Sequence, residues 1–295
     1  MSKTPPAKGL IALLRLPYWL MTGGLALLTA FAITKGSFLN LQTVPLIFFS
    51  MACITSAGFA VNDYFDKESD AVIKPKRPIP SGALSLKQVV AISTMLFALG
   101  LILALFINWL SFVILAVDSL LLLVYSWLVK RKSGFAANVL VGILTGTAFL
   151  YGEATISIPP SLSLVSISLY PIAFGTIGGN ILRDILSLEG DSKVGYPTLP
   201  QKIGNPQSAK VAAVFFVACG LLAPLPFIIG EFTVYYLPLI VVWSALLIYS
   251  SVRLVTSAST VANVRKYERL ITMSMILLPL ALILEALSKA IGGLL

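Results

Sequence analysis

Histidine is absent from this chain of 295 residues, and cysteine occurs only twice, at Cys53 and Cys219. Without imidazole, and with both thiols in apolar runs where they read as small packing residues, zinc ligation and a redox pair are disfavoured. Charge is scarce as well: 11% of the residues are charged against 58% hydrophobic, and mean hydropathy is +0.95. That many apolar side chains exceed what a core can bury, which excludes a water-soluble globule and implies a membrane protein. The charge is one-sided, with a formal net of +9. Such an excess would suit nucleic acid unless the basic residues sit at membrane-facing loops, so their positions decide. Lys3, Lys8 and Arg15 precede the first apolar stretch as in a signal peptide. No small-residue cleavage site precedes a soluble domain, however, and the stretch reads as a first span.

Apolar runs of about 17 to 25 residues cross about 30 Å of hydrocarbon. They fall at 16–34, 43–65, 88–107, 109–129, 135–152, 162–183, 208–230, 234–254 and 270–291. The pattern predicts an all-α membrane protein, a bundle of nine transmembrane helices with a cytoplasmic N-terminus. With that orientation every one of the 21 Lys and Arg residues except Lys35 and Lys289 lies on the cytoplasmic side. Deleting one helix would invert every later loop, so the asymmetry supports both count and orientation, and it accounts for the net charge without nucleic acid. Glycines within spans, among them Gly23, Gly24, Gly142, Gly146, Gly175, Gly178 and Gly179, read as points of close helix packing.

Against this background one stretch is dense in polar residues: NDYFDKESDAVIKPKRPIPSG, from Asn62 to Gly82. On a helix Asn62, Asp66 and Asp70 share a face, with Asp63 within one turn of Asp66. Like-charged carboxylates so placed repel one another, a cost that a bound divalent cation removes. Oxygen-only ligands favour Mg²⁺ or Ca²⁺. A second stretch, NILRDILSLEGDSKVGYPTLP from Asn180 to Pro200, follows four spans later on the same side. Asn180 precedes Asp184 as Asn62 precedes Asp66, and Asp184 and Asp191 share a helix face. The parallel suggests an internal repeat of four-helix units presenting matching acidic faces.

Two carboxylate clusters ringed by Lys and Arg suit a diphosphate bridged by Mg²⁺ and held by Lys74, Arg77, Lys130, Arg183 or Lys193. Metal neutralisation makes diphosphate a good leaving group. Apolar helices beneath such a site suit a long hydrocarbon tail on it. Ionisation would leave an allylic cation that an aromatic face can stabilise, and Tyr125 is placed for this; an interfacial tyrosine explains it as well.

The wording NDYFDKESD with KRPIPSG, then RDILSLEGDSKVGYPTLP, resembles the UbiA superfamily of intramembrane prenyltransferases. Arg15 in LRLPYW and Tyr125-Ser126 ahead of Lys130 fit the same resemblance. It implies a single prenyltransferase domain over residues 1–295, an active site under a cytoplasmic cap and a lateral opening for lipids. By it, Asn62, Asp66, Asp70, Asp184 and Asp191 would bind Mg²⁺ and the prenyl diphosphate, Asp63 and Glu189 would support them, Arg15, Arg77, Lys130 and Lys193 would contact substrate, and Tyr125 would face the allylic carbon. Ser187 stands where many members have aspartate. The motif wording is similar to the archaeal branch that makes digeranylgeranylglyceryl phosphate and to the chlorophyll synthase branch. The first implies transfer of a geranylgeranyl group to geranylgeranylglyceryl phosphate for an ether lipid; the runner-up is an aromatic acid or quinone precursor as acceptor.

Asp118 lies within the fourth span, where an ionisable group is costly and a cavity-lining or packing role is open. Glu153, Glu231 and Glu285 fall towards the outer side and read as interfacial. A third class, a transporter holding an ion between acidic helix ends, is disfavoured because transporter sites tend to lie near the bilayer midplane.

Overall fold

The computed structural model describes residues 5–34, 42–156, 161–257 and 260–292. Lys3 and Lys35, both counted in the charge asymmetry, lie outside the described residues. Among those described, nine helices are long and apolar enough to cross a membrane: α1 Pro6–Ile33, α2 Thr43–Phe65, α3 Leu86–Ile107, α4 Trp109–Lys132, α5 Gly134–Ala154, α6 Leu164–Lys193, α7 Leu199–Ile228, α8 Leu237–Thr256 and α9 Val261–Ala290. No strand occurs among these residues. The chain is a multi-pass, all-α membrane protein.

Several helices outrun the apolar segments that announce them. The first begins at Pro6 rather than 16 and breaks at Arg15 into Pro6–Leu14 and Pro17–Ile33. The sixth continues to Lys193 rather than 183, the seventh begins at Leu199 rather than 208, and the ninth begins at Val261 rather than 270. Hydropathy registers only the part in hydrocarbon, whereas a helix continues past the bilayer as long as water or side chains satisfy its polar residues. In α7 the early turn is broken at Gly204, φ +77°, just ahead of Pro206.

Consecutive helices pack side by side, and α9 closes against α1, so the nine form a ring. A contact between α1 and α5 bridges its middle. One apolar core, including Phe149, Ile181, Phe216 and Trp243, fills the half built mainly from α5 to α9. Another, including Ile47, Met51, Ile54, Leu115 and Tyr151, fills the half built around α1 to α5. Small residues let backbones approach: a Cβ on Gly23 would stand 2.6 Å from the Phe48 carbonyl oxygen, and one on Gly142 would meet Ile177 at 2.3 Å. A Cβ on Gly24 or on Gly179 would meet no other element within 4 Å, so close packing does not explain them.

At the far end of the ring Glu153 and Glu285 are buried rather than interfacial, while Glu231 is half-buried. Glu285 accepts from the Thr233 amide and hydroxyl and pairs with Lys289 at 2.9 Å, while Lys289 also donates to the Ala32 carbonyl at 2.9 Å. Glu153 is held by the Ser163 and Ser166 hydroxyls and the Ser163 amide. These contacts pin helix ends and loops, leaving the opposite end to carry the acidic motifs.

Candidate active site

The last turn of α2 brings Asn62 and Asp63 to the motif end, Asp66 closes the helix, and a short helix, Lys67–Ile73, continues almost in register. The Asp66 amide donates to Asn62 O at 2.9 Å and the Asp70 amide to Asp66 O at 2.8 Å. The predicted shared face is therefore kept, and Asn62 Nδ2 donates to Asp66 Oδ2 at 2.8 Å. Asp63, Asp66 and Asp70 are only 3%, 7% and 4% exposed. Buried carboxylates demand compensation. Asp63 receives it from Arg15 and Arg77, both at 2.6 Å, Asp70 from Arg77 at 2.8 Å, and Asp66 from Lys130.

Local structure aims these cations. In the proline-containing loop the Arg77 amide donates to Lys74 O at 3.0 Å and the Ser81 amide to Arg77 O at 2.9 Å, turning the Arg77 side chain back onto the helix. Arg15 holds a left-handed backbone, φ +50°, alone among the described non-glycine residues. Such strain costs on the order of 1–3 kcal/mol and persists where surroundings over-determine it. Here the guanidinium stacks 4.2 Å over the Phe59 ring while donating to Asp63. Lys74 joins the group: partial burial and the neighbouring Arg77 hold its ammonium below the usual lysine range. Four cations thus surround three carboxylates, a local positive excess suited to an anion.

In the second motif, Asp184 accepts from Asn138 Nδ2 of α5 at 2.7 Å, and the Ser187 hydroxyl lies 2.5 Å from Asp191 Oδ2. The parallel with the first motif is incomplete, because Asn180 accepts from Arg183 at 3.4 Å and Asn138 takes the amide's part beside Asp184. Arg183 turns to Glu268 at 3.4 Å, away from the motif acids. Glu189 is exposed.

Three residues join the two motifs. The Lys130 ammonium pairs with Asp66 and lies within electrostatic range of Asp184. Tyr125 stands within range of Asp66, Asp184 and Arg15, on a π-helical turn, Tyr125–Val129, of the widened kind common at functional sites. Tyr196 reaches across from the second motif: its hydroxyl donates to Asp66 Oδ1 at 2.6 Å and lies 2.9 Å from the Ser69 hydroxyl, and Lys130 sits 4.8 Å over its ring. Gly195, φ +72°, supplies a turn that ordinary side chains resist, and the Tyr196 amide closes it on Asp191 O at 3.1 Å. Burial and the hydrogen bond to Asp66 push the Tyr196 phenol upward, which keeps it a donor.

Tyr196 and Asn138, which bond motif carboxylates directly, are not singled out by the sequence, and neither are Ser69 beside Tyr196 or Phe59 against Arg15. Asn138 carried a usable signal, since an amide within an apolar span needs a partner. Tyr196 carried none beyond its place in the glycine turn. Asp118 is 2% exposed, accepts from Thr147 at 2.7 Å through Oδ2, and its Oδ1 has no partner among the described residues; it ties α4 to α5.

Among the described residues no three acidic side chains close on a single point. The first-motif carboxylates are engaged by Arg15, Arg77 and Lys130 instead. The donors nevertheless suit a hard divalent ion: they are carboxylate and amide oxygens gathered at one end, and Asp184 and Asp191 have no salt-bridge partner among the described residues. Beside the site a cavity of about 410 Å³ is bordered by Ser69, Arg131, Lys193 and Tyr196.

The model of the UbiA prenyltransferase family matches residues 24–277. A protein of Natronomonas pharaonis named digeranylgeranylglyceryl phosphate synthase is 36% identical over 234 residues, 79% of this chain and 83% of that one. Its namesake in Methanopyrus kandleri is 35% identical over 227 residues, 77% and 81%. A solved structure of a digeranylgeranylglyceryl phosphate synthase superposes with a TM-score of 0.81 at 28% identity, covering 96% of this chain and 99% of that one. A UbiA homologue from Archaeoglobus fulgidus bound to GPP and Mg²⁺ shares the fold, with a TM-score of 0.68 at 21% identity over 93% of this chain and 99% of that one.

Proposed function

The chain belongs to the UbiA prenyltransferase family, and from that membership we propose that it transfers a geranylgeranyl group from its diphosphate to the free hydroxyl of geranylgeranylglyceryl phosphate. The relatives named for that reaction support this acceptor. One observation carries the reading: Tyr196, from the loop of the second motif, donates its hydroxyl to Asp66 of the first at 2.6 Å, and Lys130, paired with Asp66, lies within electrostatic range of Asp184.

Asn62, Asp66, Asp70, Asp184 and Asp191 would hold Mg²⁺ with the prenyl diphosphate. The chemistry such an ion supplies is neutralisation of charge on the departing diphosphate. Arg15, Arg77 and Lys130 exchange part of their hold on the carboxylates for the phosphate oxygens, and Lys74, without a salt bridge of its own, joins them there. Lys193 contacts the phosphate of the acceptor, Glu189 supports the second motif from the surface, and Asp63 keeps Arg15 and Arg77 in place. Ser187 orients Asp191 through its hydroxyl rather than ligating in its own right. As the allylic C1–O bond breaks, the Tyr125 ring faces the cationic carbon and stabilises it by about 0.5–2 kcal/mol. The glycerol hydroxyl oxygen then bonds to C1 and its proton passes to the departing diphosphate or to water, so no histidine is needed. The one-sided distribution of Lys and Arg supports a cytoplasmic N-terminus and active site.

Purified protein supplied with Mg²⁺, geranylgeranyl diphosphate and a panel of acceptors tests this, with the product read by mass spectrometry. The expected product is the doubly alkylated glycerol phosphate. Transfer to an aromatic acid alone, or to nothing, would overturn the reading.

A further inference from the structure

We propose that the cavity bordered by Arg131 and Lys193 is a phosphate-monoester site that holds the acceptor's headgroup, apart from the cations that hold the prenyl diphosphate. The inference rests on the acceptor named above, a glycerol phosphate whose anionic group must be held while its free hydroxyl reaches the allylic carbon.

Several cations at this end of the ring, Lys74 among them, have no salt bridge among the described residues, but Arg131 and Lys193 are the two that border the cavity. Arg15, Arg77 and Lys130 are tied to Asp63, Asp70 and Asp66, and Arg183 is tied to Glu268. Arg131 and Lys193 have no carboxylate partner among the described residues, and both border one cavity of about 410 Å³, within the range of small-molecule sites. Neighbours on a helix point in different directions, so Lys130 faces the carboxylates while Arg131 faces the cavity. The Arg131 guanidinium is steadied by Phe65, donating to its carbonyl at 3.2 Å and lying 5.7 Å from its ring, which leaves further donors of the fork for an anion. Glu68 is the one acid on this wall, so two cations outweigh it.

The wall facing the motifs is the Ser69–Tyr196 pair, and the Tyr196 hydroxyl touches Asp66. An anion in the cavity is therefore one side chain removed from the carboxylate cluster. That separation suits a glycerol whose phosphate and reacting hydroxyl sit at different carbons, and Tyr196 keeps the monoester out of the diphosphate's place.

The test uses the full-length protein in detergent with Mg²⁺ and geranylgeranyl diphosphate, comparing geranylgeranylglyceryl phosphate with geranylgeranylglycerol. Wild type should have the lower KM for the phosphorylated acceptor. In Arg131→Gln and in Lys193→Gln that KM should rise about tenfold, the size of one lost charge-assisted contact. The KM for geranylgeranyl diphosphate should stay within about twofold. Lys193→Arg should restore acceptor affinity, and glycerol phosphate should compete with the acceptor in wild type but not in the double variant. An undiminished preference for the phosphorylated acceptor, or a rise confined to the diphosphate's KM, would mean surface charges only and overturn the proposal. A wild type that alkylates an aromatic acid but neither glycerol would instead overturn the acceptor reading.

Discussion

Tyr196 donates its hydroxyl to Asp66 across 2.6 Å, joining the loop of the second acidic motif to the central carboxylate of the first. The bond fixes one oxygen of Asp66 while Lys130 engages the other. Tyr196→Phe should leave insertion and fold intact but raise the Mg²⁺ concentration for half-maximal turnover by about 10–100-fold, the usual cost of losing a group that orients a metal ligand. An unchanged Mg²⁺ dependence would show that Asp66 needs no orienting.

Arg77 serves two buried carboxylates at once. Arg77→Met leaves Asp70 unpaired and Asp63 dependent on Arg15, and breaking a buried pair costs about 3–5 kcal/mol. Thermal unfolding in detergent should show a lower midpoint, partly recovered by Mg²⁺, alongside lost activity. A midpoint equal to wild type would contradict the pairing.

Lys74 loses its proton more readily than an ordinary lysine because of partial burial and Arg77 beside it. The kcat/KM for the prenyl diphosphate reports the free enzyme. It should fall on the alkaline side beginning below about 10.4, the ordinary lysine value. Lys74→Arg, always charged, should move that limb upward. Stability runs the other way: the fold disfavours the charged form, so this group's contribution is least favourable below its folded pKa and improves as pH rises through it. A limb that does not move in Lys74→Arg would remove Lys74 from phosphate binding.

Gly23 and Gly24 are adjacent, yet only the first is packed. A Cβ at Gly23 would press on the backbone oxygen of Phe48, which cannot swing aside, while Gly24 has open space. Gly23→Ala should lower stability by about 1–3 kcal/mol, whereas Gly24→Ala should be close to neutral. Equal effects in thermal unfolding would refute the α1–α2 contact.

The spans and the acidic motifs were legible because hydrocarbon demands long apolar runs and because carboxylates cluster visibly in a chain poor in charge. The convergence of the motifs was inferred from loop parity, and Lys130 and Tyr125 now connect them. Helix ends at Pro6, Lys193 and Leu199 were illegible to hydropathy, since polar turns beyond the bilayer look like loop. Cation partners were illegible as well: which arginine meets which aspartate depends on the left-handed turn at Arg15 and the proline loop before Arg77, neither of which has a periodic signature. The apparent symmetry of Asn62–Asp66 and Asn180–Asp184 misled in detail, as Asp184 takes its amide from another helix. The motif acids group at one end of the ring, rather than midway along it, which leaves the transporter reading without its usual site.

The most direct test of the shared site is Mg²⁺-dependent binding of geranylgeranyl diphosphate to Asp66→Ala, Asp184→Ala and the double variant. If both motifs grip one ligand, each single change weakens binding by about 10²–10³-fold, and the double is little worse than either, because groups acting as a unit are not additive. Losses that simply add, or one variant that binds as wild type does, would contradict the account.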